Sequence, residues 1–108
     1  MGVSKHPDVL AEYRKMLPMF KCLGDEVRAS ILIALSDHGE LNVNDLTEYV
    51  DVSRPTVSHH LLHLKQAGLV DFRKEGNERY YRSTFSQFFD DLENWVRIVR
   101  EECSHLDG

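Results

Sequence analysis

The sequence predicts a mainly α-helical fold with one β-hairpin, its elements in the order α-α-α-α-β-β-α. Apolar residues recur at helical spacing in four segments before Gly68 and in one segment after Ser83. Gly76-Asn77 stands between two short runs of β-forming residues, which is typical of a hairpin tip. Only residues 51–53 separate the third helix from the fourth. These observations together predict a winged helix–turn–helix, in which the hairpin is the wing.

Length and composition allow one globular domain over residues 1–108. No apolar run approaches the ~18 residues that a membrane span needs. The N-terminal segment lacks the apolar core of a secretion signal. The two cysteines, Cys22 and Cys103, lie far apart in the sequence and do not form a disulfide framework. We therefore expect a cytoplasmic protein that has no membrane partner.

The first two helices have clear boundaries. The first is predicted over residues 8–23 and ends at Gly24. Pro18 lies inside it, so a kink or a break there is an alternative. The second helix follows Asp25, which is a good N-cap, and ends by Gly39.

The third helix opens the predicted helix–turn–helix, residues 42–67. It begins at Asn42 or Asn44, and Asn42 with Asp45 three residues later resembles a capping box. We expect this helix to continue to Val50 and to carry Tyr49 on its apolar face.

The remaining elements are a capped helix, the wing and a long final helix. Ser53, with Pro55 in the first turn, predicts the start of the fourth helix, and Gly68 ends it. The wing is predicted over residues 69–83 and an amphipathic helix over residues 84–106.

The first and last helices carry more apolar surface than so short a chain can cover. Such stripes usually mark an interface, and a second copy of the chain is the simplest partner. The sequence therefore predicts a homodimer through residues 8–23 and 84–106. The predicted interface residues are Leu10, Tyr13, Leu17, Phe88, Leu92, Trp95 and Val99.

Charge is unevenly distributed along the chain. The formal net charge is −5, which by itself argues against a nucleic-acid partner. Residues 52–82, however, contain six Lys or Arg against three acids, while the rest of the chain contains seven against fifteen. A local basic segment can bind phosphates even when the whole chain is acidic. This distribution favours binding of double-stranded DNA by the predicted helix–turn–helix and wing.

Short hydroxyl residues and an arginine at the start of the fourth helix suit an approach to base edges in the major groove. Cations at a hairpin tip suit the DNA backbone. The predicted DNA-binding residues are Ser53, Arg54, Pro55, Thr56, Ser58, His59 and Lys65 on the helix, and Arg73, Lys74, Asn77 and Arg79 on the wing.

The segment from Phe20 to Arg82 resembles the ArsR/SmtB family of bacterial repressors, above all in the pattern S-x-P-T-V-S-H-H-L-x-x-L-x-x-A-G-L-V. The resemblance implies that residues 53–60 contact bases and that residues 73–82 form the wing. It also implies a homodimeric repressor that binds a palindromic operator and is released by a metal ion or an oxidant.

The metal sites that the resemblance implies are missing their ligands. Asn42 and Asn44 occupy the places of a Cys-x-Cys motif, and amide oxygens are poor ligands for soft ions. The places of a second, zinc-binding site are occupied by Phe85, Gln87, Ile98 and Glu101, of which only the glutamate could ligate. We therefore expect no metal cofactor, and the effector stays unknown.

Three weaker sensing candidates remain open. Glu101, Cys103 and His105 could contribute to a metal site at the C-terminus, although a polar tail is the simpler interpretation. Cys22 and Cys103 could act as a thiol sensor for persulfide or oxidant, although lone cysteines are more often core residues. His59 and His63, four residues apart on a helix, could bind a metal ion, although the resemblance favours DNA contact for the first.

The sequence disfavours two other classes of function, a protein-binding module and an enzyme. A winged-helix module that binds proteins without DNA is disfavoured, because such a face favours aromatic anchors over serine and histidine. An enzyme is disfavoured because the sequence contains no phosphate-binding glycine loop and no nucleophile with a partner base.

Overall fold

The computed structural model describes residues 6–103 and 105–107, and its element order confirms the predicted winged helix–turn–helix. One short strand is added to the predicted elements. The elements are α1 (Pro7–Leu23), α2 (Glu26–His38), β1 (Glu40–Leu41), α3 (Val43–Thr47), α4 (Arg54–Gln66), β2 (Val70–Glu75), β3 (Glu78–Ser83) and α5 (Ser86–Glu102).

The chain divides into two compact units. Met19–Phe85 form one of them, called here the core unit. The residues up to Pro18 and those from Ser86 onward form the other, called here the terminal unit. Helix α1 is continuous through Pro18, so the alternative of a break at that residue is not found.

Local sequence signals set the helix starts of the core unit as predicted. Asp25 caps α2, and its carboxylate accepts two backbone N–H bonds of the first turn at 2.8 and 3.1 Å. Asn42 caps α3 in a capping box with Asp45. Ser53 caps α4, with proline in the first turn. Gly39 ends α2 with φ 88°, a conformation that side chains other than glycine rarely adopt.

The buried side chains of the core unit come from all of its helices and strands. Helix α4 packs on both α2 and α3, and both α2 and α4 pack on the sheet. Apolar residues dominate this core: Ile31, Leu32, Leu35, Leu41, Leu46, Val57, Leu61, Leu64, Leu69, Val70 and Tyr81.

The sheet has three antiparallel strands in the order β1-β3-β2. The predicted hairpin turns at Gly76-Asn77, with Gly76 at φ 61°. Strand β1 was not predicted, because two residues are too short to show an alternating pattern. It pairs Glu40 with Arg82 and Leu41 with Tyr81, and thereby joins the end of α2 to the wing.

Helix α3 is shorter than predicted and does not reach Val50. The backbone N–H groups of Glu48 and Tyr49 bond three residues back, to Asp45 and Leu46, which tightens the last turn. The expectation that Tyr49 lies on the apolar face is wrong, because its side chain is 49% exposed. Its ring instead stacks on His38 at a centroid distance of 4.2 Å.

Helix α5 is also shorter than the predicted range 84–106. The Thr84 backbone N–H donates to the Leu69 carbonyl at 2.9 Å, and its hydroxyl donates to the Gly68 carbonyl at 3.2 Å. These bonds keep Thr84 with the end of the hairpin, and α5 begins two residues later. At its other end the helix stops at Glu102.

Candidate nucleic-acid interface

The start of α4 presents the positive end of a helix to solvent. The Ser53 hydroxyl accepts the Thr56 backbone N–H at 3.4 Å and lies 3.0 Å from the Thr56 hydroxyl. The first turn contains no acidic residue, and Ser53, Arg54 and Pro55 are exposed. Helix N-termini favour anions, so this end of α4 suits a phosphate or a base-edge acceptor.

The two sides of α4 differ sharply in burial. Val57, Leu61 and Leu64 are fully buried against the core. At about 100° per residue, the opposite side of the helix carries Pro55, His59 and Leu62, all of them exposed. Leu62 is 55% exposed and was not predicted as a site residue. The sequence indicates this residue only by its position, because Leu62 is an apolar residue outside the helical spacing of the buried Val57, Leu61 and Leu64.

A groove of about 250 Å³ lies between α4 and the hairpin. Three cationic side chains line it, and none of its lining residues is acidic. The predicted DNA-binding residues that line it are Arg54, Ser58, Lys65, Asn77 and Arg79. A polyanion entering this groove would meet positive charge from both the helix and the wing.

Phe72 also lines this groove and was not predicted as a site residue. The Arg79 guanidinium lies 4.6 Å from the centre of its ring, and the Lys65 ammonium lies 5.5 Å from it. Both distances are within the range of a cation–π contact. The Phe72 ring therefore contacts one cation of the wing, Arg79, and one cation of α4, Lys65.

The hairpin register separates the predicted wing cations between two faces. Lys74 is paired with Arg79, and both lie on the face that carries Phe72 and faces α4. Arg73 is paired with Tyr80 and lies on the opposite face. The structure therefore brings Arg79 to the groove, while Arg73 lies outside it.

Arg73 is engaged by carboxylates on its own face. It forms ion pairs with Glu40 at 3.0 Å and with Glu75 at 3.3 Å. Its guanidinium lies 4.9 Å from the ring of Tyr80. Hydrogen bonding to Glu40, and then to Glu75, raises the pKa of Arg73. The charge of this arginine is balanced before any DNA arrives.

Helix α3 is joined to both parts of the interface. The Asn42 amide donates to the Glu78 carboxylate, at the start of β3, over 2.7 Å. The Arg54 guanidinium donates to the Asn44 amide oxygen over 2.9 Å, which links the starts of α3 and α4. The two asparagines that stand at the places of the Cys-x-Cys motif are thus structural in this chain.

The three histidines of α4 have different surroundings. His59 is exposed, and its Nε2 lies 3.1 Å from Nε2 of His63. His60 is directed towards α2, where its Nδ1 accepts the Nε–H of Arg28 at 3.2 Å. Burial lowers the pKa of His63, and the neighbouring His59 and Arg28 lower it further.

The other predicted sensing residues are not brought together into a metal centre. In the part of the chain that is described, no three His, Cys, Asp or Glu side chains could jointly hold a metal ion. Glu101 pairs with Arg97 at 3.2 Å. Cys22 is buried, Cys103 is partly exposed, and both are free thiols. Thiol sensing by these two cysteines stays a prediction.

The predicted dimer residues lie in the terminal unit, with different exposure. The Trp95 indole N–H donates to the Val9 carbonyl at 3.1 Å, and its ring lies 6.0 Å from that of Tyr13. Phe88 is only 5% exposed within the single chain. The larger exposed surfaces on α5 belong to Phe89 and Val96, which were not on the predicted list.

A shallow apolar depression on α5 is framed by charge. It is lined by Leu92 and Val96, with both acidic and basic residues at its rim: Glu93, Arg97, Arg100 and Glu101.

Across the described residues no helix is both long and apolar enough to cross a membrane.

Known proteins resemble this chain in sequence and in structure. Residues 25–71 match the family described as bacterial regulatory protein, arsR family. The arsenic resistance transcriptional regulator ArsR1 of Pseudomonas putida is 41% identical over 64 residues, which are 59% of this chain and 50% of that protein. The matched segment therefore spans half the length of that regulator.

Other relatives are matched over most of their length. The arsenical resistance operon repressor of Staphylococcus aureus is 38% identical over 82 residues, which are 76% of this chain and 78% of that protein. Among solved structures, an ArsR-like transcriptional regulator from Rhodococcus sp. RHA1 superposes with a TM-score of 0.71 at 30% identity, covering 82% of this chain and 83% of that one.

Proposed function

This chain belongs to the arsR family of bacterial regulatory proteins, and we propose that it represses transcription by binding a palindromic operator as a homodimer. Members of the family are transcriptional regulators rather than enzymes. The groove between α4 and the hairpin carries the proposal, because Arg54, Lys65 and Arg79 converge there and no lining residue is acidic; Lys65 is shared with Asp71, 3.4 Å away outside the lining. That is the charge pattern of a surface that binds a DNA backbone.

The two arms of this surface have different roles in the proposal. The outward side of α4, with Ser58 and His59, enters the major groove and contacts base edges. Lys74, Asn77 and Arg79 of the wing contact phosphates beside it. Since phosphate contacts dominate affinity and base contacts determine sequence preference, the two sets are separable by mutation.

In the proposed homodimer, the exposed apolar side of α5 forms the interface between the two copies. Phe89 and Val96 are more exposed than such residues usually are, and Val96 lies in the depression described above. A twofold partner with the same depression would cover it, and the resulting dimer would carry two copies of α4 for the two halves of a palindromic operator.

Fluorescence anisotropy with a duplex from immediately upstream of the gene tests the DNA-binding role. The protein is kept reduced and in the presence of a chelator, and a scrambled duplex is the control. We expect binding that is tighter than to the control and that weakens linearly with log salt concentration. Equal binding to both duplexes would favour a distant operator or a protein-interaction module. Relief of binding by a persulfide donor would favour the thiol sensor.

Sedimentation equilibrium tests the dimer. Val96→Glu places a charge in the depression, and we expect it to shift the protein towards monomer. Ile33→Glu is the matched control, because Ile33 is an exposed apolar residue of the core unit. A monomeric wild type, or equal effects of the two variants, would contradict the proposed interface.

A further inference from the structure

His59 and His63 form a close imidazole pair on α4. Their Nε2 atoms are 3.1 Å apart and their ring centres 4.6 Å apart, with the rings nearly perpendicular. The i, i+4 spacing places both on one side of the helix. His59 is exposed and His63 is partly exposed, so an ion can reach both nitrogens from solvent.

The separation of the two nitrogens suits a shared metal ion. Imidazole nitrogens bind Zn²⁺ at ~2.0–2.1 Å. Two nitrogens 3.1 Å apart can both bind at that distance with an N–metal–N angle near ~100°. This N–metal–N angle is larger than the angle between adjacent ligands in square-planar and octahedral complexes and smaller than the angle in tetrahedral complexes. The i, i+4 spacing therefore already brings the two nitrogens within chelating distance of one ion.

The protonation of the pair is also compatible with metal binding. A neutral imidazole is the ligating form, and burial, together with His59, Arg28 and His60, lowers the pKa of His63 and so favours that form. A hydrogen bond between the two Nε2 atoms requires one of them to carry a proton in the metal-free pair. Binding requires that ring to hold its proton on Nδ1, so no proton needs to leave a neutral pair.

Neighbouring groups limit the site to two protein ligands. Nδ1 of His60 is occupied by the Arg28 Nε–H. In the described ranges, residues 6–103 and 105–107, no third His, Cys, Asp or Glu joins the pair to complete a cluster. Water would fill the other coordination positions. Imidazole pairs of this kind suit borderline divalent ions such as Zn²⁺, Ni²⁺ and Cu²⁺.

We propose that His59 and His63 bind a borderline divalent metal ion and that the bound ion competes directly with DNA. The competition rests on the proposed function, because His59 lies on the outward side of α4 that would enter the major groove. A bound ion would occupy Nε2 of His59 and hold this imidazole against His63, so the ring could no longer hydrogen-bond to a base edge through that nitrogen. The metal site and the DNA site would share a residue instead of communicating over a distance.

The metal arm of the test is done without DNA. Zn²⁺ alone is titrated into the full chain, and the imidazole nitrogens of each histidine are followed by NMR. We expect the Nε2 signals of His59 and His63 to shift together. His63→Gln should weaken the apparent affinity at His59 by at least about tenfold, because chelation is lost. His38→Gln, a change at a histidine outside α4, should leave the titration unchanged.

The opposite results would overturn the site. They are an unchanged His59 titration in His63→Gln, or no coupled shift of the two histidines in the wild type. The affinity should also fall at acidic pH, since protonated imidazole does not ligate. Because each histidine is observed separately, Zn²⁺ bound near Cys103 or His105 is not confused with this site.

The DNA arm adds Zn²⁺ to the protein–duplex complex. We expect the operator affinity of the wild type and of His38→Gln to fall by about tenfold at Zn²⁺ concentrations that saturate the pair, and that of His63→Gln to be insensitive. Wild-type DNA affinity that is unchanged by a saturated pair would overturn the competition. If metal-free protein does not bind the duplex above the scrambled control, the proposed function fails, and the NMR arm still decides the metal site.

Discussion

The two faces of the hairpin contain similar residues and use them differently. On the face towards α4, Arg79 lies over the Phe72 ring, with a groove beside it that no acidic residue lines. On the other face, Arg73 lies over the Tyr80 ring and is paired with Glu40 and Glu75. Arg73 and Arg79, six positions apart in the sequence, therefore differ in how far neighbouring carboxylates neutralise their charge. The number of basic residues in a wing does not determine how many of them can bind phosphate.

The largest expected difference between the faces is in stability. Tyr81 is buried and packs on Phe72 at a ring distance of 5.2 Å, whereas Tyr80 is partly exposed. We expect Tyr81→Ala to lower the free energy of unfolding by about 3 kcal/mol and Tyr80→Ala by less than about 1 kcal/mol. Urea denaturation measures both. Equal losses would show that the two faces are packed alike.

The next difference concerns DNA affinity. Arg79→Ala removes a cation from the groove, and we expect operator binding to weaken by about tenfold, with the slope of log affinity against log salt reduced by about 0.9. Arg73→Ala should change affinity by less than about threefold, because its charge is already balanced by carboxylates. Anisotropy titrations over a salt series compare them. A larger loss for Arg73→Ala would reverse the assignment of the faces.

A smaller effect tests whether Glu40 restrains Arg73. Glu40→Gln removes the nearer carboxylate, so the free positive charge of the outer face increases. We expect operator affinity to rise by about two- to threefold and the salt slope to become steeper. The double variant Glu40→Gln, Arg73→Ala should lose the increase. A gain that persists in the double variant would assign the effect to net charge alone.

The smallest expected effect is the pH dependence at Asp71. The Phe72 backbone N–H bond lowers the pKa of this carboxyl below its ordinary value of 3.8, and Lys65 lowers it further. A carboxyl with a lowered pKa stabilises the folded state fully above 3.8, and this contribution is lost as the pH falls through the folded-state value. Asp71→Asn should therefore flatten the acid limb of a stability-against-pH curve measured by thermal melting. An unchanged acid limb would contradict this role.

Local signals in the sequence predicted much of the fold because they act over a few residues. The caps at Asp25, Asn42 and Ser53 satisfy N–H groups of the next turn, and Gly76 supplies the positive φ of the hairpin tip. Each of these effects depends on residues within three positions of the signal. The order of elements follows from them.

Features that depend on residues distant in sequence were not predictable in the same way. Strand β1 exists because Leu41 is brought beside Tyr81, 40 positions later in the chain. Phe72 lines the groove because α4 packs on β2. The engagement of Arg73 by Glu40 likewise spans 33 positions. The sequence indicated the basic segment, but only tertiary pairing separates its charges between two faces.

The bonds of Asn42 and Asn44 have a consequence for how DNA sequences are distinguished. One fastens α3 to the wing through Glu78 and the other fastens α3 to α4 through Arg54. The separation of the two DNA-contacting arms is therefore largely set before binding, which reduces the ordering entropy lost on association. Arms held at a fixed separation fit some groove widths better than others. Operators would then be selected partly by the deformability of their DNA, including at base pairs that no side chain touches.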